Sequence, residues 1–246
     1  MNGGVRATEL KCGAMRRTAL VLAWLFIAGW ASAAQARAPV VVELFTSQGC
    51  SSCVAADKVL DQLADKPDIL ALTLAVDYWD YLGWSDTFAK PEFTARQRAY
   101  MQRLAHREVY TPQIVVNGGS EAAGADQAKI DALVDDASHA RLKSPPIRLL
   151  RHARVSVGAG HPPKGGGEVW LVRYDPRAQE IAVKRGENRG QTLVQRNVVR
   201  ELVRLGAWRG KARIYTVPAA AEKGELKTCV LLQAADGGRI LGVALK

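Results

Sequence analysis

Two cysteines separated by two serines are the residues of this sequence with the clearest capacity for chemistry, in Cys50-Ser51-Ser52-Cys53. They stand where an apolar run turns into a run with helical spacing, so the pair is predicted at the N-terminus of a helix. Free backbone N–H groups and the helix dipole favour an anion there and lower the pKa of a cysteine thiol. The pattern predicts a redox-active dithiol, in which Cys50 attacks and Cys53 resolves the mixed disulfide.

Two other interpretations of the pair remain open. One is a permanent disulfide that only holds the turn. The other, metal binding, is weaker, because two cysteines do not complete a tetrahedral site and the four histidines show no ligand spacing. Val54 also replaces the histidine that a CxxCH haem-attachment motif requires. We therefore expect no metal and no cofactor.

A second motif places a proline at the start of a short apolar run, in Thr111-Pro112-Gln113, with Asn117-Gly118 at its end. Here the chain resembles the thioredoxin superfamily, in which a cis-proline opens a strand that faces the CxxC. The resemblance implies that the Thr111–Pro112 bond is cis and lies beside Cys50. It also implies that the Thr111 backbone is free to pair with an incoming peptide. The alternative is an ordinary trans proline at an edge strand.

One acid, Glu43, lies in the first predicted strand, roughly where thioredoxins keep a buried carboxylate. The resemblance implies that burial raises its pKa and that it takes the proton of Cys53. The alternative is a glutamate at the strand end that reaches solvent.

Four aromatic residues follow the second predicted strand, where open α/β sheets bind ligands. We expect them to form a hydrophobic lip that grips an extended protein substrate. The alternative is a packed loop in which Ser85 or Asp86 caps the next helix. The four residues are Tyr78, Trp79, Tyr81 and Trp84.

The elements that must position these residues alternate in the first half of the chain. Strands are predicted at 39–46, 69–76 and 113–116, and helices at 50–65, 88–106 and 126–140. This alternation predicts an α/β domain with a mostly parallel sheet covered on both faces. Strand-like runs separated by turns predict an appended β-rich domain, a sandwich or small barrel, in the second half. Residues 191–208 fit a helix or a strand equally well.

A change in composition predicts the boundary between these halves at Lys143-Ser144-Pro145-Pro146. Residues 39–142 hold 9 Lys and Arg against 15 Asp and Glu, a net charge of −6, whereas residues 143–246 hold 20 against 8, a net of +12. The basic half could bind an acidic partner, but we expect its charge to face the acidic half and solvent.

Residues 1–38 have the pattern of a secretory signal peptide, with Met15 as an alternative start. A basic pair, Arg16-Arg17, precedes an apolar run at 18–30 and a small-residue segment at 31–38. The run is shorter than a membrane span needs, so membrane contact is expected only through the uncleaved leader. The prediction is a periplasmic or secreted protein in an oxidising compartment, where a disulfide persists and nucleic acid is not the partner.

Four segments together resemble a bacterial family of secreted thioredoxin-like proteins known as the domain of unknown function 1223. The resemblance covers both halves and implies the fold and export, and little about the reaction. The segments are residues 43–53, 76–84, 109–113 and 185–190.

These observations predict an exported thiol–disulfide oxidoreductase that uses the CxxC pair. Its partners would be a protein thiol or disulfide substrate and a protein that donates or accepts electrons. The alternative is a non-catalytic binding module of thioredoxin fold with a structural disulfide. Cys229 has no partner by count and is expected to be a buried core thiol.

Overall fold

The computed structural model describes residues 1–4, 38–140, 144–222 and 224–246. Nearly all of the predicted leader therefore lies outside the described residues. No helix within the described ranges is long and apolar enough to cross a membrane.

The first half alternates strands and helices as predicted, and its strands follow the spatial order β2-β1-β3-β4. Strand β1 pairs in parallel with β2 but antiparallel with β3, and β3 and β4 form a hairpin. The elements are β1 (Val40–Thr46), α1 (Cys53–Ala64), β2 (Ile69–Ala75), a 3₁₀ turn (Asp80–Leu82), α2 (Pro91–Arg103), β3 (Gln113–Val116), β4 (Ser120–Ala123) and α3 (Gln127–His139).

The prediction of a mostly parallel sheet was wrong, because β3 runs antiparallel to β1 and is followed by a hairpin strand. Asn117 and Gly118 both adopt positive φ angles, 46° and 62°, so the chain reverses directly after β3. Strand β4 follows at once, without the helical crossover that a parallel neighbour requires.

Helices cover both faces of this part of the sheet, as predicted. Val42 and Leu44 of β1 pack against α1 and α3, whereas Val41 and Phe45 pack on the α2 side. Successive strand residues point to opposite faces, so the apolar residues of β1 divide between two separate clusters. This alternation decides which side chains can approach α1.

The second half contains no helix among its described residues, so its predicted β-rich character is confirmed. The ambiguous segment 191–208 forms two strands. The elements are β5 (Ile147–Leu150), β6 (Arg154–Val157), β7 (Gly167–Asp175), β8 (Gln179–Ala182), β9 (Thr192–Gln195), β10 (Val198–Trp208), β11 (Arg213–Thr216), β12 (Lys227–Ala234) and β13 (Ile240–Leu245).

The predicted division into residues 39–142 and 143–246 does not separate two sheets. Strand β10 joins the free edge of β2 in parallel, at Val198 and Thr73, and one sheet runs in the order β13-β12-β7-β10-β2-β1-β3-β4. Four strands of the second half thus extend the first sheet instead of closing a sandwich or barrel of their own. The sheet β11-β6-β5 packs over this extension, and β8 and β9 form a separate hairpin.

Both halves also share one apolar cluster. It joins Phe45 and Tyr100 of the first half to Val172, Cys229 and Leu231 of the second. Cys229 is a fully buried free thiol, as predicted, and burial raises its pKa above the usual range. Pro145-Pro146 therefore interrupts local structure without marking the limit of a core.

Candidate functional site

The two cysteines form a disulfide at the junction of β1 and α1, with their Cα atoms 5.4 Å apart. Cys50 lies in a turn, where its N–H donates to the Ser47 carbonyl at 3.1 Å and its own carbonyl accepts from the Cys53 N–H at 3.2 Å. The helix begins at Cys53, with Ser52 as its N-cap residue. Cys50 therefore lies before the helix, whereas the sequence predicts that Cys50 is its first residue.

Neither cysteine is open to solvent. Cys50 is 0% exposed and Cys53 is 1% exposed, although Ser51 and Ser52 between them are exposed. Attack by Cys50 on a substrate requires access to its sulfur, and the conformation of this structure does not provide that access.

Two other parts of the chain cover the turn. Trp79 lies over Gly49, where an added Cβ would stand 3.6 Å from the Trp79 Cβ. From the second half, the Asn188 side chain donates to the backbone carbonyls of Gln48 and Cys50, both at 3.0 Å. Residues that follow the second strand and residues of the β8–β9 loop thus meet at the disulfide.

The Thr111–Pro112 peptide bond is cis, as the resemblance to thioredoxins implied. Pro112 comes close to α1, because a Cβ added at Gly124 would stand 2.8 Å from both the Pro112 Cβ and the Ala56 Cβ. Ala56 is three residues beyond Cys53, so the start of β3 lies beside the first turn of α1. Thr111 is half-buried, and its hydroxyl accepts a hydrogen bond from the Trp79 indole at 2.8 Å.

Glu43 is buried as predicted, but it cannot serve Cys53. It shares the α2 face of β1 with Val41 and Phe45, whereas α1 packs on the opposite face. Its carboxylate accepts from Arg96 at 2.6 and 3.1 Å and from the Tyr100 hydroxyl at 2.5 Å. Glu43 is therefore part of a buried ion pair, and its proposed role as proton acceptor is corrected.

The acid that does lie near the cysteines is Asp57, which the sequence analysis missed. It stands four residues after Cys53 on the buried face of α1, where side chains at this spacing are neighbours. Its carboxylate accepts from the Thr46 hydroxyl at 3.0 Å and from the Gln195 amide at 3.3 Å. Burial raises the pKa of Asp57 to about 7, against the lowering effect of these two bonds. In the sequence, the four-residue spacing between Cys53 and Asp57 in a predicted helix indicates that the two side chains are neighbours.

A second buried acid, Asp86, supports the turn before Cys50. Its carboxylate accepts from the Gln48 N–H at 2.7 Å and from the Phe88 N–H at 2.9 Å. Burial raises the pKa of Asp86 to about 6. The alternative prediction that Ser85 or Asp86 caps the next helix differs from the structure, because the N-cap residue of α2 is Lys90.

Three of the four aromatic residues of the predicted lip are tied into the protein. The Tyr78 hydroxyl donates to Gln97, the Trp79 indole to Thr111 and the Trp84 indole to Gln48, at 3.1, 2.8 and 3.0 Å. Tyr81 alone of the four is largely free, at 81% exposed. The segment is thus mainly a packed loop around the disulfide, because each indole and the Tyr78 hydroxyl finds an internal partner.

The described residues contain no group of three or more His, Cys, Asp or Glu side chains that could hold a metal ion. What they define is an α/β protein with a covered CxxC disulfide at a strand–helix junction.

Residues 41–233 match the family described as "Protein of unknown function (DUF1223)", and the chain belongs to that family. The crystal structure of protein AGR_C_4864 from Agrobacterium tumefaciens is similar, with 34% sequence identity and a TM-score of 0.66. The similarity covers 85% of this chain and 94% of that one. No curated protein matches the chain.

Proposed function

We propose that this protein is an exported thiol–disulfide oxidoreductase of thioredoxin-like architecture. The observation that carries the proposal is the Cys50–Cys53 disulfide at the point where β1 passes into α1. The order of elements, β-α-β-α-β-β-α, and the approach of Pro112 to α1 support the thioredoxin-like interpretation. Export follows from the leader pattern of residues 1–38.

The proposed reaction exchanges two electrons between this pair and a protein substrate. In the reducing direction, the Cys50 thiolate attacks a substrate disulfide and forms a mixed disulfide, and the first substrate sulfur leaves as a thiolate. The Cys53 thiolate then attacks the Cys50 sulfur, which closes the Cys50–Cys53 disulfide and releases the second substrate thiolate. The substrate is reduced to a dithiol while the pair is oxidised, and a partner protein dithiol restores the pair. The reverse sequence oxidises a substrate dithiol.

Asp57 is the residue placed to accept the Cys53 proton in this reaction. It lies one helical turn beyond Cys53, and burial holds its pKa close to neutrality, where a carboxylate both accepts and returns a proton. Within the described residues, Asp57 makes no ion pair that would keep it charged. Asp57 thus takes the place of Glu43, which the resemblance to thioredoxins had implied as the acceptor of the Cys53 proton.

The peptide-binding surface would include the Thr111 backbone. Neither its N–H nor its C=O has a hydrogen-bond partner among the described residues. An extended substrate segment could therefore pair with Thr111 in the manner of an added strand.

A second candidate function is favoured by one observation, the burial of both cysteines. In that case the protein is a binding module, and the disulfide only holds the turn before α1. The two functions differ in reduction potential, because structural disulfides lie below about −300 mV whereas catalytic pairs lie above that value.

A redox titration distinguishes the oxidoreductase from the binding module. The purified protein is equilibrated with glutathione and dithiothreitol buffers, and its thiols are trapped and counted by mass spectrometry. We expect a potential above about −300 mV and reduction of a disulfide-linked test peptide, both abolished in Cys50→Ser. Cys229→Ala is the matched control, because this buried thiol lies outside the pair and its loss should leave the potential unchanged. A potential below that limit with no peptide turnover would establish the structural disulfide.

A further inference from the structure

The loop that joins β8 to β9, residues 183–191, lies across the turn that holds the disulfide. We call this loop the strap. Asn188 at its centre is 0% exposed and makes the two hydrogen bonds to the Gln48 and Cys50 carbonyls. These bonds join residues 138 and 140 positions apart in the chain. A fully buried amide directed at the cysteine backbone makes the strap a direct cover of the pair.

The neighbouring residue of the strap holds the start of α1. The Glu187 carboxylate accepts from the Ser51 N–H at 3.0 Å and from the Ser51 hydroxyl at 2.7 Å. These bonds lower the pKa of Glu187, which is exposed to solvent. A carboxylate just before a helix also interacts favourably with the helix dipole. This exposed contact is open to competition by water and by another protein.

The strap keeps its own shape. The Val183 N–H donates to the Gln191 carbonyl at 2.9 Å, and the Gly190 N–H donates to the Val183 carbonyl at 2.8 Å. Gly186 and Gly190 adopt φ angles of 78° and 83°, which glycine accommodates without strain. These bonds close the loop on itself, while buried Val183 at its base packs against Val54 and Trp84.

The far end of the hairpin is fixed to α1. Arg196, which follows β9, pairs with Asp65 at 2.7 Å and with Asp61 at 3.3 Å, and Gln195 donates to Asp57. Strands β8 and β9 pair only with each other among the described residues. The hairpin is thus attached at its base, while its tip rests on the cysteines through Glu187 and Asn188.

We propose that the strap is a releasable cover, which closes over Cys50 and Cys53 and is displaced by the protein that exchanges electrons with them. This inference rests on the proposed function, because a cover matters only if the disulfide reacts. A partner shifts the equilibrium towards the open form only if it binds that form more tightly than the closed one. The exposed Ser51–Glu187 contact is where such a partner would first compete.

Accessibility of the disulfide to a small phosphine, tris(2-carboxyethyl)phosphine, tests the cover without any enzyme assay. The phosphine attacks one sulfur, water hydrolyses the adduct, and the products are the dithiol and the phosphine oxide. The free thiols are trapped with iodoacetamide and counted by mass spectrometry over time. Asn188→Ala removes two hydrogen bonds from the closed form, so we expect reduction about tenfold faster than in the wild type.

Arg189→Ala is the matched control, because Arg189 is an exposed residue of the same strap, and it should reduce at the wild-type rate. Glu187→Ala changes a surface contact and should accelerate reduction by a smaller factor, about two- to fivefold. It keeps the test decisive if Asn188→Ala does not fold, which thermal unfolding of each variant would reveal.

Wild-type rates in both Asn188→Ala and Glu187→Ala would overturn the cover, as would a folded wild type that is reduced as fast as the protein unfolded in guanidinium. Faster reduction of the variants without turnover of a disulfide-linked peptide would show that the strap covers the disulfide, but it would reject the oxidoreductase and with it the release of the strap by an electron-exchanging partner. Turnover of the peptide by the wild type, with phosphine reduction equally fast in wild type and variants, would support the oxidoreductase and reject the cover.

Discussion

Replacing Arg96 with methionine is expected to lower the free energy of unfolding by about 3–5 kcal/mol, because it leaves the buried Glu43 carboxylate without its counter-charge. Both residues are almost inaccessible, at 6% and 1% exposed, and two hydrogen bonds of 2.6 and 3.1 Å join them. Arg96 also donates to Gln233 of β12 at 3.0 Å. The variant therefore weakens the joint between the two halves of the sheet, and urea unfolding followed by circular dichroism measures the loss.

The matched control is Arg98→Met, on the exposed face of the same helix, which should change stability by less than about 0.5 kcal/mol. A second comparison is the double variant Arg96→Met with Glu43→Leu. It should recover most of the loss, because removing both charges leaves no unpaired charge in the core. Equal stability of Arg96→Met and Arg98→Met would show that the ion pair does not hold the halves together.

Replacing Asp57 with asparagine is expected to change the free energy of unfolding by an amount that depends on pH. In the folded protein the pKa of Asp57 is raised from 3.8 to about 7, so the native state keeps this proton over a range where the unfolded state has lost it. Stability of the wild type therefore falls as pH rises from about 4 to 7, because the native state binds more protons there. Asparagine removes this dependence, so the variant should gain about 2–4 kcal/mol over the wild type at pH 8.

The gain should disappear below pH 4, where Asp57 is protonated in both states and the comparison reflects only the replacement of a carboxylic acid by an amide. Urea unfolding at pH 4, 6 and 8 measures it. Asp136→Asn, an exposed change on α3, should show no gain over this range. A constant difference between Asp57→Asn and wild type at all three pH values would contradict a neutral Asp57 in the folded protein.

The same variant bears on the proposed reaction. If Asp57 accepts the Cys53 proton, reoxidation of the reduced pair should slow in Asp57→Asn and lose its inflection near pH 7, while Cys50→Ser abolishes it entirely. The measurement is reoxidation by oxidised glutathione at several pH values, with the remaining thiols trapped by iodoacetamide at intervals and counted by mass spectrometry. An unchanged pH profile would remove Asp57 from the mechanism without affecting its role in stability.

Much of the candidate site was predictable from local pattern. The cis Thr111–Pro112 bond was implied by the resemblance to thioredoxins, whereas the Cys50–Cys53 spacing, the apolar run before it and the helical run after it placed the pair at a strand–helix junction. The helices and most strands followed from periodicity in the same way. These features depend on residues within one or two turns of each other, and short-range geometry relates such residues without knowledge of the rest of the fold.

The tertiary structure alone decided which side chains meet. Alternation along β1 turned Glu43 towards Arg96 on α2 and away from Cys53, and left Asp57 as the acid on the cysteine side. The pairing of β10 with β2 made one sheet out of two predicted domains, and the strap brought Asn188 onto Cys50 from 138 residues away. A strand edge and a backbone carbonyl accept many partners equally well. Which one arrives depends on how the whole chain packs, and residue spacing along the sequence does not record it.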